Sequence, residues 1–213
     1  MIELCESFLS IQGESTHAGR LCYFLRLTGC NLTCTWCDAK YALESSGNLF
    51  TVDELADKAA ASGVDLVEIT GGEPLLQKDT PALAEALQKR GMTVMVETNG
   101  SVSIAPLPSG VIRIVDCKPP SSGMAEYNDF SNYPLMTGID ELKFPIADRD
   151  DFDYMCRVIA AEHPEHYAGT LLCSPVSPLE PAQLAEWLLE AKIPKLRMQL
   201  QMHKVIWGKD TKL

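Results

Sequence analysis

Short apolar runs alternate along this chain with longer stretches whose apolar residues recur every three or four positions. Leu21–Thr28 (LCYFLRLT), Val64–Ile69, Met92–Val96 and Val111–Val115 are runs of the kind that fill a buried parallel sheet. Asp140–Phe144, Leu171–Cys173 and Lys195–Gln201 are further extended runs. Four helical patterns fall between them. The first starts behind Thr51, with Glu54 placed to close a capping box, and ends near Gly63. The others cover about Pro81–Arg90, stopped by Gly91, then Arg149–Glu162, then Pro181–Lys192 with proline at its first position. Glu6–Ser15 reads as a short extended piece running into a turn, and the proline-rich stretch 101–138 is the least regular part.

Strands alternating with helices predict βαβ units and a parallel sheet. The unusual polar groups follow strands directly: Cys30, Cys34 and Cys37; Gly71-Gly72-Glu73; Glu97-Thr98-Asn99; Lys118; and His203. In barrel-type α/β folds the carboxyl ends of the strands form the active face. With about six strands and three or four helices, the expected fold is a shortened, partly open TIM-like barrel, one domain over residues 1–213. A flavodoxin-like open sheet is the alternative.

Charge narrows the partners. Eighteen Lys and Arg against 29 Asp and Glu give a net charge of −11, which argues against nucleic acid and for a small-molecule substrate. No apolar stretch approaches the ~20 residues of a membrane span, and the N-terminus lacks the pattern of a signal peptide. Eight cysteines without a secretory signal read as thiols, so a cytoplasmic location is expected.

The candidate chemistry begins at Cys30-Asn31-Leu32-Thr33-Cys34-Thr35-Trp36-Cys37-Asp38. A structural zinc site wants four protein ligands, whereas Cys117, Cys156 and Cys173 stand singly and no His pair has ligand spacing. Three thiolates on a 4Fe–4S cluster leave one iron open to an outside molecule. A zinc knuckle, or three reduced core cysteines, is the competing reading. Gly71-Gly72-Glu73-Pro74 has a similar double meaning. Its glycines let backbone approach a ligand and Glu73 can accept from an ammonium group, or the segment is simply a tight turn.

CxxxCxxC just after a strand, with Trp36 before the last cysteine, together with GGEP, resembles the radical S-adenosylmethionine enzymes. The order SIQGE, FLRLTGCNLTCTWCD, ITGGEP, VETNG, CKPPSS, QMHK resembles, within them, the 7-carboxy-7-deazaguanine synthases, nearly end to end. The resemblance implies a 4Fe–4S cluster on Cys30, Cys34 and Cys37. It implies S-adenosylmethionine held near Trp36, Asp38, Gly71, Gly72, Glu73, Thr98 and Lys118. It also implies contraction of the ring of 6-carboxy-5,6,7,8-tetrahydropterin to 7-carboxy-7-deazaguanine with loss of ammonia, on the route to queuosine and other 7-deazapurines. The substrate would meet Ile11, Gln12, Gly13, Glu14, Arg26, Thr70, Glu97 and His203, with Glu97 and His203 as catalytic groups. A homodimer and a flavodoxin or ferredoxin electron donor are expected from the same source.

The side chains suit a pterin. Glu97 can accept two N–H bonds from an aminopyrimidine edge. Arg26 can fork onto a carboxylate, or pair internally with an acidic residue. His203 can donate to the carboxylate or move a proton, or be a wall residue. Gln12 and Glu14 read as substrate contacts or as turn polars.

The sequence departs from the family pattern in three places. Ala39 stands where the family has a Thr or Ser that ligates Mg²⁺, so a weaker or absent Mg²⁺ requirement is expected. Asp116-Cys117-Lys118 replaces Ser-Pro-Lys, and Cys117 is not assigned to the cluster. Leu172-Cys173-Ser174-Pro175 replaces Leu-Gln-Pro. The tail from Trp207 to Leu213 leaves open where its terminal carboxylate lies. Two other functions compete: a glycyl-radical activating enzyme, and a non-catalytic iron–sulfur or zinc-binding domain.

Overall fold

The computed structural model describes residues 1–43 and 47–208. Its centre is a nine-stranded sheet: β1 (Ile2–Ile11), β2 (Leu21–Leu27), β3 (Asn48–Phe50), β4 (Leu66–Gly71), β5 (Thr93–Thr98), β6 (Ile112–Asp116), β7 (Glu141–Ile146), β8 (Thr170–Pro175) and β9 (Leu196–Met198). The spatial order is β3-β1-β2-β4-β5-β6-β7-β8-β9. β1 pairs antiparallel with β2 and β3, and every other neighbouring pair is parallel. From β2 onward the order follows the sequence except for the edge strand β3, so there is no topological switch point. Right-handed crossovers then put the helices on one face. This is the geometry of a barrel wall rather than of the flavodoxin-like alternative, and it stays open between β3 and β9.

Four helices cover that face: α1 (Val52–Ala60), α2 (Thr80–Lys89), α3 (Arg149–Glu162) and α4 (Pro181–Ala191). The expected capping box on α1 is present. Glu54 N donates to Thr51 Oγ1 at 3.2 Å while Thr51 N donates to Glu54 Oε2 at 2.7 Å, worth about 0.5–2 kcal/mol to the helix start. Alternation along the strands sorts the two faces. Tyr23, Leu25, Leu27, Val67, Ile69, Val94, Val96, Leu142, Phe144 and Leu171 point outward into the main core under the helices. Cys22, Phe24, Leu66, Met95, Ile112 and Ile114 point inward and plug one end of the barrel, with Phe8 stacked on Phe24 at 5.1 Å.

The structure amends the expected elements at both ends. The N-terminal piece is not a short extended segment but the ten-residue β1, whose inner positions alternate with core residues Ile2 and Leu4. The three-residue β3 was too short to register as a pattern. The last strand shrinks to Leu196–Met198, because the chain then turns into a further helix, α5 (Met202–Trp207). Seven strands rather than about six run parallel. The irregular stretch 101–138 is held by side chains in place of a ladder. Fully buried Asn132 accepts from Ile104 N at 3.0 Å and donates to Val102 O at 3.1 Å. Residues 209–213, on which the placement of the terminal carboxylate depends, lie outside the described residues.

Candidate active site

The inward alternate positions above the apolar plug are polar: Arg26 on β2, Glu68 and Thr70 on β4, Glu97 on β5, Asp116 on β6, Lys143 on β7 and Ser174 on β8. All seven line one cavity of about 590 Å³, within the range of small-molecule sites. Cys30, Cys34 and Cys37 line the same cavity, as do Trp36, Asp38, Gly71, Gly72, Thr98 and Lys118. Ile11, Gln12, Gly13, Glu14 and His203 complete it. The residues singled out from sequence therefore meet in one place, with Glu73 as the exception.

The glycine turn is locked onto the cysteine loop. Glu73 N donates to Gly29 O at 2.8 Å and Gly72 N to Leu27 O at 3.2 Å. Gly71 has φ +143°, and a Cβ there would lie 2.2 Å from Leu27 O, so only glycine fits. A Cβ on Gly72 would lie 2.0 Å from Gly29 O and 2.9 Å from Cys30 Cβ. Glu73 does not reach the cavity. It is fully buried, and it accepts from Leu75 N (2.9 Å), Thr98 Oγ1 (2.9 and 3.0 Å) and Asn99 N (2.7 Å). Burial raises its pKa and these bonds oppose the rise. Glu73 is thus a bracket between the turn and the end of β5.

The three thiols are half-buried and free. Leu32 N and Asn99 Nδ2 donate to Cys30 Sγ at 3.4 and 3.6 Å. The loop is stapled to residues 121–122 by Trp36 Nε1 donating to Ser121 Oγ (2.9 Å) and Thr35 N donating to Ser122 O (3.1 Å). Burial first, and then the neighbouring cysteines, push the Cys34 thiol up, against the pull of the Lys118 ammonium. Three adjacent thiols do not all ionise unless a metal centre takes the charge. Three soft donors, N–H bonds onto one sulfur and a lysine beside them fit an iron–sulfur cluster. Cys117, by contrast, is buried in the outer core, with its thiol pushed up to about 12 by burial.

Mg²⁺ does not fit as well. Ala39 offers no side-chain oxygen and its backbone oxygen accepts from Ala42 N at 2.9 Å, while Asp38, the one carboxylate in the loop, already pairs with Lys204 at 3.1 Å.

Sequence reasoning missed the residue at the centre of the site. Lys143 is 8% exposed and pairs with Glu14 at 2.8 Å, with Glu97 more closely still, and with Asp116 at 3.4 Å. Asp116 also pairs with Lys118 at 2.6 Å. Burial pushes Glu14 and Asp116 up, but Lys143 at Glu14, and Lys118 with Lys143 at Asp116, outweigh it and hold both below the usual carboxylate range. Glu68 has no such cation in contact. Burial, with Glu97 nearby, holds it well above the ordinary value, while Gln12 Nε2 donates to it. Thr70 Oγ1 lies 3.4 Å from Glu97 Oε2. Arg26 Nε donates to Glu6 Oε1 at 2.9 Å and its guanidinium lies over Tyr41 at 5.9 Å, so the internal pairing is present and the side chain still lines the cavity. The 12–16 loop spans the open side of the barrel. Met202 N donates to Gly13 O at 2.9 Å, and Ser15 N to Gln199 Oε1 at 2.8 Å. A Cβ on Gly13 would lie 2.5 Å from His203 Nδ1, so this glycine lets the histidine into the site.

The comparisons with known proteins agree with this geometry. The model of the Radical SAM superfamily matches residues 25–109. A 7-carboxy-7-deazaguanine synthase of Chlorobaculum tepidum is 40% identical, over 99% of this chain and 96% of its own. Another from Koribacter versatilis is 36% identical over 99% of both. In fold, the chain matches the crystal structure of QueE from Escherichia coli with a TM-score of 0.76 at 22% identity, over 95% and 94% of the two chains. It matches Streptococcus suis SuiB bound to S-adenosylmethionine with a TM-score of 0.60 at 11% identity, over 87% of this chain and 52% of that one. Relatives of one activity along the whole length leave no place for the activating-enzyme, carrier or zinc-domain readings. The chain belongs to the 7-carboxy-7-deazaguanine synthase family of radical S-adenosylmethionine enzymes.

Proposed function

We propose that this single-domain chain contracts the ring of 6-carboxy-5,6,7,8-tetrahydropterin to 7-carboxy-7-deazaguanine, releasing ammonia, on the route to queuosine and other 7-deazapurines. The observation that carries the reading is the meeting of the three cysteines, the glycine turn and the Lys143-centred carboxylates in one cavity. The cluster and S-adenosylmethionine, when bound, supply the radical that opens the reaction. Cys30, Cys34 and Cys37 would hold the cluster. Gly71, Gly72, Trp36, Thr98 and Lys118 would hold S-adenosylmethionine, with Glu73 keeping the turn in place and Asp38 at the border of the two ligands.

The protein's part is to bind, orient and protonate. Glu97, fixed by Lys143 and Thr70, accepts the N–H groups of the aminopyrimidine edge, and the backbone at 11–13 meets the ring. Gln12 and Glu14 set that loop. Glu6 anchors Arg26 through Nε, which presents the outer edge of the guanidinium to the C6 carboxylate. His203, admitted by Gly13, donates to the same carboxylate or carries a proton to the departing nitrogen. A flavodoxin or ferredoxin supplies the electron, two copies form the dimer, and the free thiols suit the cytoplasm. No helix among the described residues is long and apolar enough to cross a membrane.

Anaerobic turnover of carboxytetrahydropterin by the reconstituted protein and by Cys34→Ala tests the reading, with carboxydeazaguanine and ammonia measured together. Wild type is expected to release them in equal amounts and Cys34→Ala neither. Iron-loaded wild type that cleaves S-adenosylmethionine yet forms no carboxydeazaguanine would overturn it.

A further inference from the structure

The Lys204 ammonium pairs with Asp38 Oδ2 at 3.1 Å and donates to Gln201 Oε1 at 2.5 Å. Gln201 Nε2 donates onward to Glu14 Oε1 at 2.8 Å, so a polar line runs from Lys204 to the carboxylates on Lys143. Lys204, Asp38, Ala39, Arg26 and His203 share the wall of the main cavity. Stability does not explain the Lys204–Asp38 pair. Asp38 is 62% exposed, and ion pairs that open to water contribute little. Position does explain it. Asp38 is the one carboxylate between Cys30 and Ala39, so an oxygen-seeking cation beside the cysteine loop would have to bind there. Lys204 is delivered there by α5, whose start is fastened by Met202 N to Gly13 O.

We propose that Lys204 is the built-in cation of this site. Its ammonium takes the place beside Asp38 that a divalent ion would need, and it joins Arg26 in pairing with the substrate's carboxylate. An ammonium has three N–H donors. Asp38 and Gln201 accept two, and the third is left for a substrate oxygen. Mg²⁺ in the same place would have to displace that ammonium and, with Ala39 beside it, draw most of its oxygens from water. Lys204 is a binding residue for the anion and an excluder of the metal. The first role rests on the pterin reading above; the second does not.

Mn²⁺ serves as the probe for the metal, followed by its free-ion EPR signal on anaerobically reconstituted protein with S-adenosylmethionine. Wild type is expected to bind no stoichiometric Mn²⁺ and to keep its turnover after passage over a chelating resin. The Ala39→Thr/Lys204→Met double variant is expected to bind one Mn²⁺. Lys204→Met alone should weaken carboxytetrahydropterin binding, measured by calorimetry, by about 10- to 100-fold, the size expected for losing a charged hydrogen bond. Lys204→Arg should restore most of it. Unchanged melting temperature and iron content in each variant show that the fold and cluster are intact. Stoichiometric Mn²⁺ on wild type, Mg²⁺-restored turnover after the resin, or unchanged substrate affinity in Lys204→Met would each overturn the inference. Wild type that binds no carboxytetrahydropterin at all would sink the pterin reading and the anion role with it. The two Mn²⁺ measurements would then still decide the metal exclusion.

Discussion

A Lys143→Met substitution keeps most of the stem's bulk inside the barrel and removes only its charge. Glu14, Glu97 and Asp116 then share a cavity wall with Lys118 as the nearest cation, and Lys118 contacts Asp116 alone among the three. Removing one partner of a buried ion pair costs about 3–5 kcal/mol. Glu14 and Glu97 are 18% and 25% exposed to the cavity, so water relieves part of the loss and about 3 kcal/mol is the expectation. For a chain of this length each kcal/mol moves the melting temperature by about 2–4 °C, which predicts a drop of about 6–12 °C near neutral pH. The sign of the pH dependence is a separate check. In wild type the folded Glu14 and Asp116 pKa values are depressed, so their stabilisation is present above the unfolded values and is lost as pH falls. Without Lys143, burial dominates at Glu14 and raises its folded pKa, so the deficit must shrink as pH falls from 8 to 5.5. Anaerobic calorimetry of the holoenzyme at the two pH values reads both effects, and Glu97→Gln added to Lys143→Met should recover part of the loss. Melting within 2 °C of wild type at both pH values, or a deficit that grows in acid, would refute the view that one lysine holds this wall together.

Two further outcomes follow from the same geometry. Glu68 carries a raised folded pKa, so its stabilisation is present below the unfolded value and fades as pH rises. Glu68→Gln should therefore gain on wild type by up to about 1.4 kcal/mol per pH unit in that window, and melting curves at pH 5.5, 7 and 8.5 that stay parallel would contradict this. Gly72→Ala must push Gly29 away, because the new Cβ meets backbone at 2.0 Å; iron retained per chain is expected to fall severalfold, and full iron loading would show that the turn and the cysteine loop are not locked together.

Much of the site was legible because its chemistry sits at strand ends, where loops carry polar residues that a core would not tolerate. The cysteines, the glycine turn and Glu97 could be found that way. Lys143 could not, since it lies inside the short run Glu141–Ile146, all of it buried, and reads as part of a strand rather than of a site. The signal that would have found it is the two-residue period: Glu68 and Thr70, or Glu141 and Lys143, place polar or charged groups on the same inward face. The bracing contacts of Glu73 were hidden for the opposite reason. Its neighbours face the ligand cavity, but its own side chain turns inward to serve Thr98 and Asn99, and side-chain direction within a turn is not written in residue type. Helix α5 was hidden by its length, six residues, too few to show a helical period.

The charges of the cavity are not distributed evenly, and that matters for which way round a substrate can enter. One set is the carboxylates Glu14, Glu97 and Asp116 on Lys143, with Lys118 at its border. Arg26, held by Glu6, and Lys204, paired with Asp38, line the same cavity. A ligand with N–H donors at one end and a carboxylate at the other gains from both sets in one orientation and opposes both when reversed. Like charges in a partly desolvated site repel far more strongly than in water. Orientation is therefore enforced as much by the penalty on the wrong pose as by the bonds of the right one. Lys143 is the cation that keeps these carboxylates from repelling one another, because it touches three of them.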